Sequence, residues 1–159
     1  MHATRNILFL VLVACILALT VALSAEHFMG ILPCQLCGYQ RIPFAVAGMF
    51  AILGLAYPLI RRYILIICTI VFVGSVALAG YHVGVQKQWW NYSPTCASDL
   101  MTDVTTEDLM AQLSKPVKVQ PCDKVDWDFM GISMAGYNFL YSLALVIVLC
   151  GRFHLRKKL

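Results

Sequence analysis

The residues of this chain best suited to chemistry are Cys34 and Cys37, with Arg41 four residues further on. A Cys-x-x-Cys spacing lets two sulfurs meet across one turn, so the pair can cycle between dithiol and disulfide with little backbone movement. If the segment is helical, Arg41 shares a face with Cys37 and favours its thiolate, which is the reactive form. A helix amino terminus here would lower a thiol pKa further. The motif therefore predicts a reactive redox dithiol.

A second pair of cysteines, Cys96 and Cys122, stands in a long polar stretch, each directly after or near a proline. In an oxidising compartment such a pair ordinarily forms a structural disulfide. The alternative is that it exchanges electrons with the first pair by thiol–disulfide exchange, which requires that the sulfurs reach one another. The other cysteines lie in apolar runs and are interpreted as small buried hydrophobes: Cys15, Cys68 and Cys150.

The composition points to a membrane as the solvent. The chain is 60% hydrophobic and 13% charged, whereas about a quarter of the residues of a soluble domain are charged. Four windows lack charged residues, and each is close to the roughly 20 apolar residues that a spanning helix needs. The windows are 7–25, 42–60, 63–85 and 129–151. We predict an all-α membrane protein, a four-transmembrane-helix bundle in a single domain over 1–159, with loops at 26–41 and 86–128.

The first window has an alternative interpretation as a signal peptide. Arg5 precedes it, and Ala22-Leu23-Ser24 resembles a small-x-small cleavage site. A signal peptide's apolar region is usually about 7 to 15 residues long, which is shorter than this window. We therefore favour a first membrane span.

Lys and Arg predict the orientation. With the amino terminus inside, the short inner segments carry most of them: Arg5, Arg61, Arg62, Arg152, Arg156, Lys157 and Lys158. The much longer outer loops carry the rest: Arg41, Lys87, Lys115, Lys118 and Lys124. The positive-inside rule thus places both termini in the cytoplasm and both cysteine pairs outside. Because the net charge of +4 reflects these inner anchors, no nucleic-acid partner is inferred.

Three local features remain open at this stage. Pro43 favours a second helix that begins near residue 42, with the dithiol on its first turn or just before it. Residues 105–113 resemble a short helix that could rest on the bilayer surface, although a flexible acidic loop is equally compatible. His82 could snorkel to the lipid headgroups or face the bundle near the dithiol, and we favour the first.

The combination of motifs resembles the bacterial disulfide bond formation protein B (DsbB) family over nearly the whole chain. The similarity consists of four spans, the Pro-Cys-x-Leu-Cys-x-x-x-Arg motif at 33–41, the paired loop cysteines, and Cys-x4-Trp-Asp-Phe-x-Gly from Cys122 to Gly131. The resemblance implies an inner-membrane enzyme that reoxidises DsbA, a periplasmic thioredoxin-fold disulfide donor. It implies ubiquinone or menaquinone as electron acceptor.

The same resemblance implies a role for each site residue. The redox-active disulfides would be Cys34–Cys37 and Cys96–Cys122. The partner's thiolate would attack Cys96, and the released Cys122 would attack Cys34. Cys37 would then face the quinone, with Arg41 stabilising charge there and His82 lying near the quinone. Lipid, the quinone pool and the DsbA-like protein are the expected partners.

Three alternatives are weighed against this function. A vitamin K epoxide reductase-type oxidoreductase also uses a loop pair and a Cys-x-x-Cys, but there the Cys-x-x-Cys comes second in the chain. A non-enzymatic four-span protein with structural disulfides predicts that Cys34→Ser and Cys37→Ser leave its function unchanged. A four-cysteine metal site would need a second Cys-x2-Cys knuckle, which Cys96 and Cys122 do not provide, so no metal site is expected.

Overall fold

The computed structural model describes residues 2–30, 33–90, 122 and 128–157. This part of the chain contains four long helices: α1 (His2–Met29), α2 (Gln35–Ala56), α3 (Arg61–Gln86) and α4 (Met134–Lys157). All four contain segments long and apolar enough to cross a membrane. The predicted four-span helical fold is therefore confirmed. The predicted surface helix at 105–113 lies outside the described residues.

The helices pack in chain order around one apolar core. Helix α2 lies between α1 and α3, and α3 packs against α4. Helix α1 and helix α4 are joined by a hydrogen bond from the Tyr141 hydroxyl to the Ala14 carbonyl, at 3.0 Å. Small residues allow close approach between helices: a Cβ added at Gly54 would lie 2.8 Å from Leu8 of α1.

The cysteines of the spans are not all in the core. Cys15 and Cys68 are buried, as predicted, and belong to the main apolar cluster. Cys150 is exposed on the surface of the bundle, so the prediction that it is buried is wrong. The bundle surface within a membrane faces lipid, and a small apolar thiol is as suited to lipid as to the core.

Helix α2 begins seven residues earlier than its charge-free window suggested. Pro43 lies inside the helix rather than at its start, and it lacks the N–H that would bond to the carbonyl of Tyr39. Cys34 is the N-cap: its sulfur accepts the backbone N–H of Cys37 at 3.3 Å. The dithiol is therefore on the first turn of α2. We call this end of the bundle, where α1 ends and α2 begins, the dithiol end.

The opposite end of α2 is closed by Arg61. Its guanidinium donates to the carbonyls of Gly54 at 2.9 Å and Leu55 at 3.1 Å, two of the carbonyls left free at the helix end. A single 3-10 turn, Pro58–Ile60, then leads into α3. The second and third spans therefore form a tight antiparallel hairpin.

A short hairpin leads into α4. Strands β1 (Asp128–Phe129) and β2 (Ile132–Ser133) pair across Met130 and Gly131, which both have positive φ, as in the two-residue turns favoured by hairpins. The Ser133 hydroxyl accepts the backbone N–H of Gly136 at 3.2 Å and so caps α4. It also donates to Gln86 of α3 at 2.6 Å. The fourth span therefore begins at Met134 rather than at residue 129.

Candidate redox site

The two sulfurs of the Cys-x-x-Cys motif lie against each other at the dithiol end. The Cys34 thiol donates to the Cys37 sulfur at 2.8 Å, and both residues are free thiols. Cys34 is buried, whereas Cys37 is partly exposed. Their separation on the first helical turn is what allows this contact, because residue 34 caps the helix and residue 37 is the third residue within it.

The pKa of Cys34 runs against the expectation from its place at a helix start. The hydrogen bond to Cys37, followed by burial, raises the pKa of Cys34 from 9.0 to about 12. The His82 ring and the Cys37 backbone N–H act in the opposite direction but do not outweigh these causes. Cys34 therefore keeps its proton to a higher pH than an ordinary cysteine does.

Cys122 approaches the same turn from the long connection between α3 and α4. It is buried and packs against Cys34, Leu36 and Val85. Burial raises the pKa of its thiol, while backbone N–H groups at the start of α2, those of Leu36 and Gln35, lower it. The structure thus brings three of the four predicted redox cysteines together. The fourth, Cys96, lies outside the described residues.

His82 lies inside the bundle, so the favoured prediction that it snorkels to the headgroups is wrong. Its side chain is fully buried. Nε2 lies 3.6 Å from the Cys34 sulfur, and Nδ1 lies 2.8 Å from the amide nitrogen of Gln40. The Gln40 carbonyl in turn accepts from the Asn138 amide at 2.7 Å. These hydrogen bonds satisfy the ring without water, which explains why a polar side chain is stable there.

Arg41 forms an ion pair with Glu26 of α1. Its guanidinium donates to the carboxylate at 2.7 Å, and the two side chains are 26% and 29% exposed. The cation is therefore held by an acid from the neighbouring helix. Arg41 nevertheless lies near the dithiol, because Arg41, Cys34 and Cys37 line the same cavity.

That cavity has a volume of about 650 Å³ and lies beside the dithiol, between α1 and α4. Most of its lining is apolar and comes from α1, α4 and β1, including Leu17, Val21, Phe129 and Tyr141. The polar groups that lie near the start of α2 include those of Glu26, Gln40, Arg41, His82 and Asn138. Cys34 and Cys37 also line it. Such a cavity suits an apolar molecule that carries hydrogen-bond acceptors or negative charge.

Three side chains at the dithiol end, those of Cys34, Cys37 and His82, have the composition of a metal site. The sulfurs of Cys34 and Cys37 and the nearer ring nitrogen of His82 lie within 4.8 Å of one another. Two thiolates and an imidazole are ligands that zinc accepts, with a fourth position left open. This cluster differs from the four-cysteine site considered from the sequence, because a histidine from another helix completes it.

Sequence reasoning missed Glu26, Gln40 and Asn138. Each carried a signal that could have been used. Gln40 follows Cys37 by three residues and so shares its helix face. Asn138 is a strongly polar side chain within an apolar span, where polar groups are rare and usually functional. Glu26 directly follows the charge-free window of the first span, within reach of the dithiol end.

The four spanning helices and the clustered cysteines Cys34, Cys37 and Cys122 define a multi-pass membrane protein with a thiol site. The model of the family described as disulfide bond formation protein DsbB matches residues 4–151. The chain belongs to that family, as its sequence motifs predicted. It is therefore a redox protein of disulfide formation.

Individual relatives agree with this assignment. The chain is 28% identical over 144 residues to disulfide bond formation protein B of Acinetobacter baumannii, covering 87% of this chain and 84% of the relative. It is 30% identical over 156 residues to the protein of that name from Polaromonas, covering 91% and 87%. With the corresponding protein of Xylella fastidiosa it shares 31% identity over 144 residues, covering 82% and 78%.

Proposed function

We propose that this protein is a membrane dithiol:quinone oxidoreductase that reoxidises a periplasmic thioredoxin-fold disulfide donor of the DsbA type. The observation that carries the proposal is the position of the Cys34–Cys37 dithiol, which lines an apolar cavity while a third cysteine, Cys122, packs against it. The cavity suits a lipid-soluble electron acceptor, and the position of Cys122 suits thiol–disulfide exchange with the Cys34–Cys37 pair.

The residues of the cavity fit a quinone. A quinone is an apolar ring with two carbonyl oxygens, and the cavity pairs apolar walls with donors at one end. Arg41 and Gln40 offer N–H groups there, and their side chains would hold the oxygens. A bound quinone would accept two electrons and two protons. Membrane solubility of that acceptor accounts for the site's place within a bundle of spanning helices.

The cysteines of this chain would carry the electrons in a balanced sequence of exchanges. The partner's thiolate attacks Cys96 of a Cys96–Cys122 disulfide and releases Cys122 as a thiolate. Cys122 attacks Cys34, which breaks the Cys34–Cys37 bond and leaves the electron pair on Cys37. The partner's second thiolate then releases Cys96, forming the partner's disulfide. Cys96 finally attacks Cys122, restoring the second pair and freeing Cys34.

The net result is one partner dithiol oxidised and one Cys34–Cys37 disulfide reduced. The contact between Cys122 and Cys34 supports the second exchange, because attack requires that these sulfurs meet. Arg41 would stabilise negative charge on Cys37 and at the acceptor's oxygens. Positive charge at that position is fixed, because an arginine does not lose its proton in proteins.

The proposal also includes location. We infer a multi-pass protein of the bacterial inner membrane with both termini cytoplasmic and the dithiol end facing the periplasm. The distribution of Lys and Arg supports this orientation. It also puts the cysteines in the compartment where disulfides persist.

A steady-state assay tests the proposal. Purified protein is mixed with a reduced DsbA-type substrate and a soluble ubiquinone analogue, and quinone reduction is followed by absorbance. We expect turnover that Cys37→Ser abolishes. Cys150→Ser is the matched control, because Cys150 is exposed on the bundle surface and lies outside the cavity lining. Equal turnover in the Cys37→Ser variant would refute the proposed role of the dithiol. Absence of quinone reduction by the wild-type protein would favour a protein with structural thiols.

A further inference from the structure

Asn138 is a polar side chain of the spanning helix α4 and lines the cavity beside the dithiol. Its amide donates one N–H to the Gln40 carbonyl of α2 at 2.7 Å, and among the described residues this is the one hydrogen bond of the Asn138 side chain. A side-chain amide has two N–H donors and a carbonyl acceptor. Asn138 therefore keeps one N–H and its carbonyl oxygen for another partner.

The surroundings of Asn138 are mostly apolar. The residue is half-buried, and side chains such as Leu17, Val21 and Phe129 make up most of the cavity lining. A polar group that leaves water without gaining a hydrogen bond destabilises a fold, and strongly polar residues within spanning helices are usually functional. A ligand in the cavity that carries an oxygen acceptor would supply the partner for the remaining N–H.

The donors of the cavity lie at two separate places. Arg41 is paired with Glu26 of α1 at 2.7 Å, whereas Gln40, its neighbour in the chain, is linked to Asn138 of α4. Successive residues of a helix point about 100° apart, so one polar corner lies toward α1 and the other toward α4. The two carbonyl oxygens of a quinone also lie on opposite sides of its ring. One corner is thus available for each oxygen.

At the corner toward α4, Asn138 is more accessible to a ligand than Gln40 is. Gln40 is only 6% exposed. Both ends of its amide are also occupied, because its carbonyl accepts from Asn138 and its nitrogen donates to His82 at 2.8 Å. These bonds hold Gln40 in place behind Asn138, and Asn138 is the half-buried donor that borders the cavity.

We propose that Asn138 is a binding residue for the second carbonyl oxygen of the quinone. Its remaining N–H donates to that oxygen, while the bond to Gln40 fixes the orientation of the amide. The Asn138 carbonyl can accept from the same oxygen once that oxygen carries a hydrogen in the reduced ligand. This inference rests on the proposed function for the identity of the ligand, and it adds a specific contact from α4.

A structural role for Asn138 is the alternative. Hydrogen bonds between polar side chains also hold spanning helices together, and the link to Gln40 would then be the whole role of Asn138. Its removal would loosen the packing of α4 and weaken ligand binding, although Asn138 and the ligand never touch. Only a measurement of the contact itself separates the two roles.

Solid-state NMR of the oxidised protein in lipid bilayers measures that contact. The protein carries ¹⁵N in its asparagine side chains, and a bound ubiquinone analogue carries ¹³C at both carbonyl carbons. An amide nitrogen that donates to a carbonyl oxygen lies about 4 Å from the carbonyl carbon. We expect a ¹³C–¹⁵N dipolar coupling of that range for one carbonyl carbon, and Asn138→Leu should remove it.

The second measurement is the Kd of the same analogue, determined by titration of the oxidised protein. Loss of one hydrogen bond between neutral groups should raise the Kd about fivefold in Asn138→Leu. Ser142→Ala is the matched control, because it deletes another buried hydrogen bond of α4, that with Ser75 of α3 at 3.0 Å, and Ser142 lies outside the cavity lining. Its Kd should stay within about twofold of the wild type.

A bound analogue that shows no coupling to Asn138, or a Kd unchanged in Asn138→Leu, would overturn the inference and leave the proposed function standing. Absence of analogue binding by the wild-type protein would refute the proposed quinone site and this inference with it. If Asn138→Leu does not fold, Asn138→Met takes its place, because its flexible apolar side chain adapts to irregular space and likewise has no donor.

Discussion

Replacing Glu26 by Gln should strengthen the interaction of the cavity with a quinone. The amide keeps the shape of the carboxylate and can still accept the hydrogen bond from Arg41, which now measures 2.7 Å. The substitution removes the negative charge that neutralises Arg41. Arg41 is then held in place but is no longer neutralised, so it becomes a stronger donor to an oxygen in the cavity.

The Coulomb energy of the ion pair sets the upper limit of this effect. Two unit charges about 4 Å apart interact with about 4 kcal/mol at an effective dielectric constant of 20. Because the side chains are 26% and 29% exposed, screening reduces this to about 1 kcal/mol. A free-energy change of about 1 kcal/mol corresponds to roughly a fivefold change in affinity.

The assay is the dependence of turnover on the concentration of a soluble ubiquinone analogue. We expect the KM of Glu26→Gln to fall more than twofold and by up to about fivefold. Glu26→Ala is the comparison, since it removes both the charge and the hydrogen bond that holds Arg41, and its KM should rise. If Glu26→Gln and Glu26→Ala shift KM in the same direction, or if neither moves it beyond twofold, the assigned role of this ion pair is wrong.

Three further predictions concern the thiols. Because the pKa of Cys34 is raised to about 12, the folded state retains this proton well above pH 9, and the alkylation rate of Cys34 should rise about tenfold per pH unit up to pH 10; a plateau near pH 9 would contradict this. Cys96→Ser should fail to form a trapped mixed disulfide with the DsbA-type partner while Cys122→Ser accumulates one, as gel electrophoresis without reductant would reveal; trapping that survives the loss of Cys96 would show that another sulfur is attacked first. The reduced protein should bind Zn²⁺ through Cys34, Cys37 and His82 and lose turnover until a chelator is added. The oxidised protein should not bind Zn²⁺, because a disulfide offers no thiolate. Equal zinc binding by both forms, measured by calorimetry, would exclude these ligands.

The number of helices and the place of the dithiol were predictable from the sequence because they depend on properties of single segments. A charge-free window of sufficient length identifies a span wherever it packs. The spacing of Cys34 and Cys37 brings their sulfurs together on any helical turn. Arg61 and Arg62 left so few residues between two spans that a tight hairpin was required.

The environment of His82 was not predictable in the same way. Which way a spanning helix turns its faces is set by packing, and lipid is as apolar as the core, so hydropathy does not distinguish the two. For the same reason, hydropathy did not show that Cys150 lies on the bundle surface and not in the core. Gln40 and Asn138 lie far apart in the chain, and only the packing of α2 against α3 and of α3 against α4 brings them together.

The start of α2 was misjudged for a local reason. Pro43 favours a helix that begins near residue 42, because proline is common at the first position of a helix. In the structure a sulfur serves as the N-cap acceptor instead, nine residues before the proline. Cysteine is not among the residues that usually cap helices, so the residues that make the redox pair also concealed the helix start.

The most direct test of the central claim is an anaerobic stoichiometry. Purified protein is mixed with a measured amount of reduced DsbA-type partner and excess ubiquinone analogue, and both products are counted when the reaction is complete. We expect one quinone reduced for each partner disulfide formed, with Cys150→Ser unchanged and Cys37→Ser inactive. Partner oxidation without quinone reduction, or one-to-one conversion that persists in Cys37→Ser, would contradict the assignment of Cys34 and Cys37 as the electron path to the membrane.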